Sequence, residues 1–320
     1  MGAPKRARRG LSNPARWGVA LAATAVFAVL LAFAADWPTV LETLAATPAE
    51  NALAGLAAAW AMILARGLRL AILLRRTDRW PLRLAVLHNF FGLILPLRLG
   101  ELSLLWYLKR EGGHSYVTSA GYLMLLRLFD LFCLALAISA AAWWVLDPAD
   151  GSGALRWWGP ALSAAVGLAI LALPVLFRLG AVYLRHSRHR FLDRWRDRLL
   201  DTATVLTGLG HGHLALTLSA TVLLWAVLIG VCAIAIDAVL PAAGPAVVLA
   251  AFSGMALTYL LPATGIANLG SFEAGWVAGM TLAGVAVEPA LASGILAHAF
   301  FMAGTVSMAP LAALLRGRPA

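Results

Sequence analysis

Charge and cysteine are what this chain has least of. Only 12% of its 320 residues are charged and two are cysteine, against about 25% charge in an ordinary soluble domain. Two cysteines exclude a disulfide scaffold, a cysteine-ligated zinc site and an iron–sulfur protein. Both, Cys133 and Cys232, lie inside apolar runs where free thiols pack. There is no Gly-x-x-x-x-Gly-Lys-Ser/Thr phosphate loop, and no Ser or Cys nucleophile with His and Asp partners can be assembled. His186/His189 and His211/His213 are paired by spacing alone, with no carboxylate or thiol arrangement to complete a metal site; His88 and His298 read as packed or interfacial. The sequence therefore predicts no catalytic residue, no cofactor and no metal.

What is present is apolar: 62% hydrophobic residues and a mean hydropathy of +0.84. This predicts an all-α integral membrane protein. A helix crosses the hydrocarbon core in roughly 20 apolar residues, and such runs lie at 17–35, 52–74, 116–146, 155–178, 213–240 and 290–315. Two more apolar stretches, 84–105 and 247–287, are broken by Leu95-Pro96-Leu97-Arg98-Leu99-Gly100-Glu101 and by Leu261-Pro262-Ala263-Thr264-Gly265. Each reads as a down-and-back hairpin. The prediction is about six spans plus two re-entrant hairpins; the rival is about eight full spans.

The net charge of +10 does not point to nucleic acid, since no soluble region is left to bind it. Basic residues instead collect on the cytoplasmic side of a membrane protein. Assigning 1–16, 75–83, 106–115, 178–198 and 316–320 to the cytoplasm gathers 20 of the 25 Lys and Arg, and the opposite loops hold only Arg156. The asymmetry requires each broken stretch to return to the side it entered from, the first from the cytoplasm and the second from outside. That is the outline of an inverted repeat around discontinuous helices. The expected organisation is a basic cytoplasmic N-terminus (1–16), one membrane domain (17–315) with halves 17–178 and 213–315 joined by a cytoplasmic linker (179–212), and a cytoplasmic tail (316–320).

Two segments carry double readings. Lys5, Arg6, Arg8 and Arg9 precede an apolar run ending Ala32-Phe33-Ala34, the pattern of a retained first span or of a cleaved signal peptide. In 185–206, six arginines interleave with Phe191, Leu192, Trp195 and Leu199, which suits a helix on an anionic cytoplasmic lipid surface or a solvated linker.

Ionisable residues at membrane depth cost several kcal/mol each unless paired or facing water, so each is a candidate site residue. Arg98 and Glu101 are three apart, as are Arg127 and Asp130, and each pair shares a helix face. Both pairs fall roughly 12–16 Å below the cytoplasmic surface at about 1.5 Å per residue. A cross-paired cluster, Glu101 with Arg127 and Arg98 with Asp130, is expected; the bland alternative is that these charges only bolt the hairpin to the third span. Arg66 and Arg69, near the end of their span, can snorkel outward. The second break offers Thr264, Asn268 and Glu273, the last with no nearby partner in sequence, and Gly275 and Gly279 form a small-residue face for close helix contact.

His88-Asn89-Phe90, the Pro96-x-Arg98-x-Gly100-Glu101 core, Arg127 with Asp130, and Leu261-Pro262 followed by Gly265, Gly270 and Glu273 together resemble the lysylphosphatidylglycerol synthase/flippase transmembrane-region family, over about residues 14–315. The resemblance implies a lipid-handling membrane domain, with Asn89, Arg98, Glu101, Arg127, Asp130 and Glu273 on the family's polar motifs. It does not imply lysine transfer, because the aminoacyl-transferase domain of two-part members is expected to be absent. The leading expectation is a flippase of a polar-headgroup lipid (phospholipid, aminoacyl-phospholipid, glycolipid, polyprenyl or hopanoid lipid) in a bacterial inner membrane. Its alternatives are an accessory scaffold for lipid-biosynthetic enzymes and a membrane-embedded headgroup enzyme.

Overall fold

The computed structural model describes residues 36–95, 99–146, 156–186, 196–259 and 266–315, with Ala25 and Val29. The predicted first span at 17–35 otherwise lies outside the described residues, as do Arg98, Pro262 and Thr264. Every regular element described is a helix: α1 (Trp37–Ala45), α2 (Ala49–Leu74), α3 (Trp80–Ile94), α4 (Leu99–Arg110), α5 (Tyr116–Val145), α6 (Trp158–His186), α7 (Arg196–Thr207), α8 (Gly210–Asp237), α9 (Pro245–Thr258), α10 (Ser271–Leu282), α11 (Val287–Met308) and α12 (Leu311–Leu314), with a 3-10 turn at Ile266–Asn268 before α10.

Helices α2, α5 and α8, and α11 continued through α12, are long and apolar enough to cross a bilayer, and α6 is a fifth if its 51° bend at residue 174 is spanned. The bend has an obvious cause: Pro174 lacks the N–H that an unbroken helix needs. Helix α6 runs to His186, past the expected end of its span, and leaves Leu168, Leu171, Leu179 and Val182 exposed. So large an apolar face on one helix is a lipid-facing surface rather than a water-facing one. Trp143, Trp144, Trp157 and Trp158 are exposed together where α5 hands over to α6, as interfacial aromatics are. Beside them Arg156 lies over the Trp143 ring and donates to the Leu146 carbonyl.

Local chemistry sets the helix ends. Ser115 caps α5, its hydroxyl accepting the Thr118 N–H at 3.0 Å. Arg75 closes α2 in the left-handed region (φ 54°), and its guanidinium donates to the Gly208 carbonyl at 2.9 Å. That contact ties the end of α2 to the start of α8. Asn51, at the start of α2, reaches Asp237 at the end of α8 across 3.3 Å. The two long helices therefore run antiparallel through the centre of the molecule.

Two helical hairpins flank them. At its base α3 meets α4: the Trp80 indole donates to Glu111 at 3.0 Å and Arg83 pairs with the same carboxylate. Near the tip a Cβ on Gly100 would lie 2.3 Å from the Gly92 Cα. Residues eight apart in a continuous helix stand about 12 Å apart along the axis, so the chain has turned back. The second hairpin repeats the device: a Cβ on Gly275 would stand 2.5 Å from the Gly254 carbonyl oxygen and one on Gly279 2.1 Å from that of Ala250. The small-residue face read from the sequence is the seam between α9 and α10. In lipid, where helix association gains nothing from excluding water, such backbone contact is what holds a pair together.

Hairpin bases lie at opposite ends of the molecule. Arg83, in the first, donates to the Ala312 carbonyl beyond the end of α11, whereas α10 joins the start of α11 directly through residues 283–286. The tips meet between them, α3 packing on the 3-10 turn. One core cluster surrounds the first hairpin (Leu84, Leu104, Leu108, Phe129) and another the second (Phe252, Phe272, Trp276, Met280). Helix α7 packs its Ala203 and Leu206 side inward, with Thr202 bonded to Thr118 at 3.1 Å. Part of the polar stretch is thus tertiary structure rather than free linker.

Candidate functional site

A cavity of about 480 Å³ lies where the hairpin tips converge. Its polar wall is built from three helices. Helix α2 brings Arg66 and Arg69, one turn apart; α4 brings Glu101 in its first turn; α5 brings Arg127 and Asp130, again one turn apart. All five line the cavity. Neither Arg66 nor Arg69 is simply an outward-reaching side chain, because the face of α2 that carries them packs toward the hairpin.

The ion pairing is specific. Arg127 grips Glu101 side-on, Nη2 to Oε1 at 2.8 Å and Nε to Oε2 at 3.3 Å, and reaches Asp130 Oδ2 at 3.3 Å. The nearer partner of Asp130 is Arg69, whose Nη1 donates to Oδ1 at 2.5 Å across 61 residues of sequence. The Trp225 indole from α8 donates to the same oxygen at 3.2 Å. Arg69, with its side chain 9% exposed, is the buried member; Arg127, at 48%, faces the opening. The expected Glu101–Arg127 pair forms. Asp130 was expected to pair with Arg98, which lies outside the described residues, and has Arg69 for its partner.

Asn89 lines the cavity and donates to its own helix at the Ala85 carbonyl, 3.1 Å. Asn268 lines it from the second tip, its carbonyl accepting the Ser271 hydroxyl at 3.0 Å. Apolar side chains such as Leu70, Leu126, Leu134, Phe252 and Met255 complete the wall.

Glu273 sits just behind this wall. It is buried, and both oxygens are taken: Oε2 accepts the Gly270 N–H at 2.7 Å and Oε1 meets His298 Nδ1 at 2.6 Å. The other His298 nitrogen, Nε2, donates to the Ala267 carbonyl at 2.9 Å. Ala267 and Asn268 hold φ of 55° and 60°, and Gly270 of 81°, a region that costs a side-chain-bearing residue energy unless its surroundings impose it. The Glu273–His298 clamp imposes it. Sequence reasoning missed His298; the available signal was a lone histidine in the span after a carboxylate without a local partner. Among the described residues no cluster of three or more His, Cys, Asp or Glu could hold a metal ion.

An all-helical, multi-pass membrane protein whose broken hairpins meet at a charged cavity is the class that fold and site define. The family model of the lysylphosphatidylglycerol synthase TM region matches residues 18–306. The chain belongs to that family and is a lipid-related membrane protein. No curated protein and no solved structure matches it significantly.

Proposed function

We propose that this protein is a translocase of a polar-headgroup lipid in the bacterial inner membrane, with both termini cytoplasmic. The carrying observation is the cavity between the hairpin tips, charged on the wall formed by α2, α4 and α5 and elsewhere mostly apolar, with His88, Asn89 and Asn268 as neutral polar points. A lipid presents that combination: a polar headgroup needing hydrogen-bond partners and chains needing none. In this reading the hairpins are re-entrant, since α3, α4, α9 and α10 have 15, 12, 14 and 12 residues and lengths of about 18–22 Å against a core of about 30 Å. Their opposite entry makes the fold an inverted repeat, the arrangement in which a midplane site opens alternately to either face. The arginines hold the headgroup, Glu101 and Asp130 balance their charge, and Asn89 and Asn268 supply neutral polar contacts. Glu273 shapes the second tip.

The test is headgroup accessibility in vesicles reconstituted with purified protein. Labelled lipid in the inner leaflet becomes reachable by a membrane-impermeant quencher in the presence of the protein and not in its absence. Glu101→Gln, which keeps shape and loses charge, is expected to purify normally and to slow the exchange. Equal accessibility with and without protein rejects translocation and leaves the scaffold reading.

A further inference from the structure

Among the described residues lining the cavity, three are guanidiniums, Arg66, Arg69 and Arg127, and two are carboxylates, Glu101 and Asp130. Both carboxylates are engaged by Arg69 and Arg127. Arg66 forms no ion pair and no hydrogen bond with any described residue, and its Nε is a buried donor without an acceptor. The buried Arg69 Nε and His88 Nδ1 also lack partners. Buried polar atoms are nearly always satisfied, and a charged donor left unmet at membrane depth is costly. Protein structure alone would have removed this cost with one more carboxylate or a shorter side chain. A guanidinium kept free beside two spent ones has the geometry of a receptor for a planar-fork acceptor.

We propose that Arg66, with His88 beside it, is the anion-binding point of the cavity, and that its ligand is the phosphate of a lipid headgroup. The inference rests on the translocase reading and narrows it to phosphate-bearing lipids, excluding neutral glycolipids and hopanoids. Leu70, Leu126 and Met255 on the same cavity wall favour a phosphate attached to an apolar body over the free ion.

The test measures binding, not transport. Purified protein in detergent is titrated with phosphatidylglycerol bearing two eight-carbon chains, with the matching diacylglycerol, and with inorganic phosphate, following thermal stabilisation and affinity for the wild type, Arg66→Gln and Arg66→Lys. Expected is stabilisation of the wild type by the phospholipid and not by the diacylglycerol. Arg66→Gln should weaken phospholipid binding by about tenfold or more, the loss of a charge-assisted contact, and Arg66→Lys by less. Because Arg66 has no partner among the described residues to strand, Arg66→Gln without ligand should melt at or above the wild-type temperature. Equal phospholipid affinity in wild type and Arg66→Gln overturns the proposal, as does diacylglycerol binding equal to that of the phospholipid. A large destabilisation of ligand-free Arg66→Gln would make Arg66 structural and overturn it too. Arg66-dependent binding of inorganic phosphate equal to that of the phospholipid overturns the lipid assignment. Arg66-dependent phospholipid binding in a protein that leaves vesicle headgroups inaccessible upholds the site while rejecting the translocase reading.

Discussion

His298 holds Glu273 at 2.6 Å through Nδ1. The carbonyl of Ala267, 2.9 Å from Nε2, accepts a hydrogen bond, so Nε2 carries a proton in either charge state. Both carboxylate oxygens and both ring nitrogens are thereby bonded within the protein, and a fully bonded pair is an inexpensive way to anchor a strained hairpin tip inside a membrane.

Glutamine at 273 can rebuild that clamp: its oxygen accepts from the Gly270 N–H and its amide donates to Nδ1. Glu273→Gln is therefore expected to give near wild-type yield, melting temperature and headgroup accessibility. His298→Ala strands a buried carboxylate and frees the Ala267 carbonyl, at a cost of about 3–5 kcal/mol, and should lower yield and melting temperature together. Folded Glu273→Gln without translocation would move the carboxylate from the scaffold to the transport step.

Single cysteines can read the hairpins in the membrane, in a background where the buried Cys133 and Cys232 are alanine. Arg79→Cys and Arg110→Cys flank the first hairpin; Ala242→Cys and Ala286→Cys flank the second. An impermeant maleimide applied outside intact cells should label the second pair, and the first pair only after the membrane is opened. A split within either pair would replace that re-entrant hairpin with full spans.

Gly279 and Gly230 form a matched pair for testing the seam between α9 and α10. A Cβ at 279 would stand 2.1 Å from the Ala250 carbonyl oxygen, whereas one at 230, inside α8, meets nothing within 4 Å. Gly279→Ala is expected to cost about 1–3 kcal/mol. Gly230→Ala should be neutral or gain up to about 1 kcal/mol through helix propensity. Thermal denaturation in detergent reads the order of the two, and equal melting temperatures would deny the close contact.

Much of this was written in the sequence because lipid restricts what a chain can do. Scarce charge and long apolar runs defined a helical membrane protein, since only internally bonded backbone survives there. Gly100 marked where the first broken stretch turns back on Gly92, and Gly275 and Gly279 marked the seam of the second. Spacing of three put Arg127 with Asp130 on one face, and equal depth brought Glu101 to Arg127. Tertiary structure alone decided the rest. Asp130 could have been met from several helices at similar depth; the rotation of α2, set by its packing on α3, α8 and α11, gave it to Arg69 and left Arg66 lining the cavity with no ion-pair partner among the described residues. The partner of Glu273 lay 25 residues on, reachable only because α11 packs against α10. Local spacing fixes which side chains share a face of one helix, but which faces meet depends on how the helices pack, and no single segment carries that information.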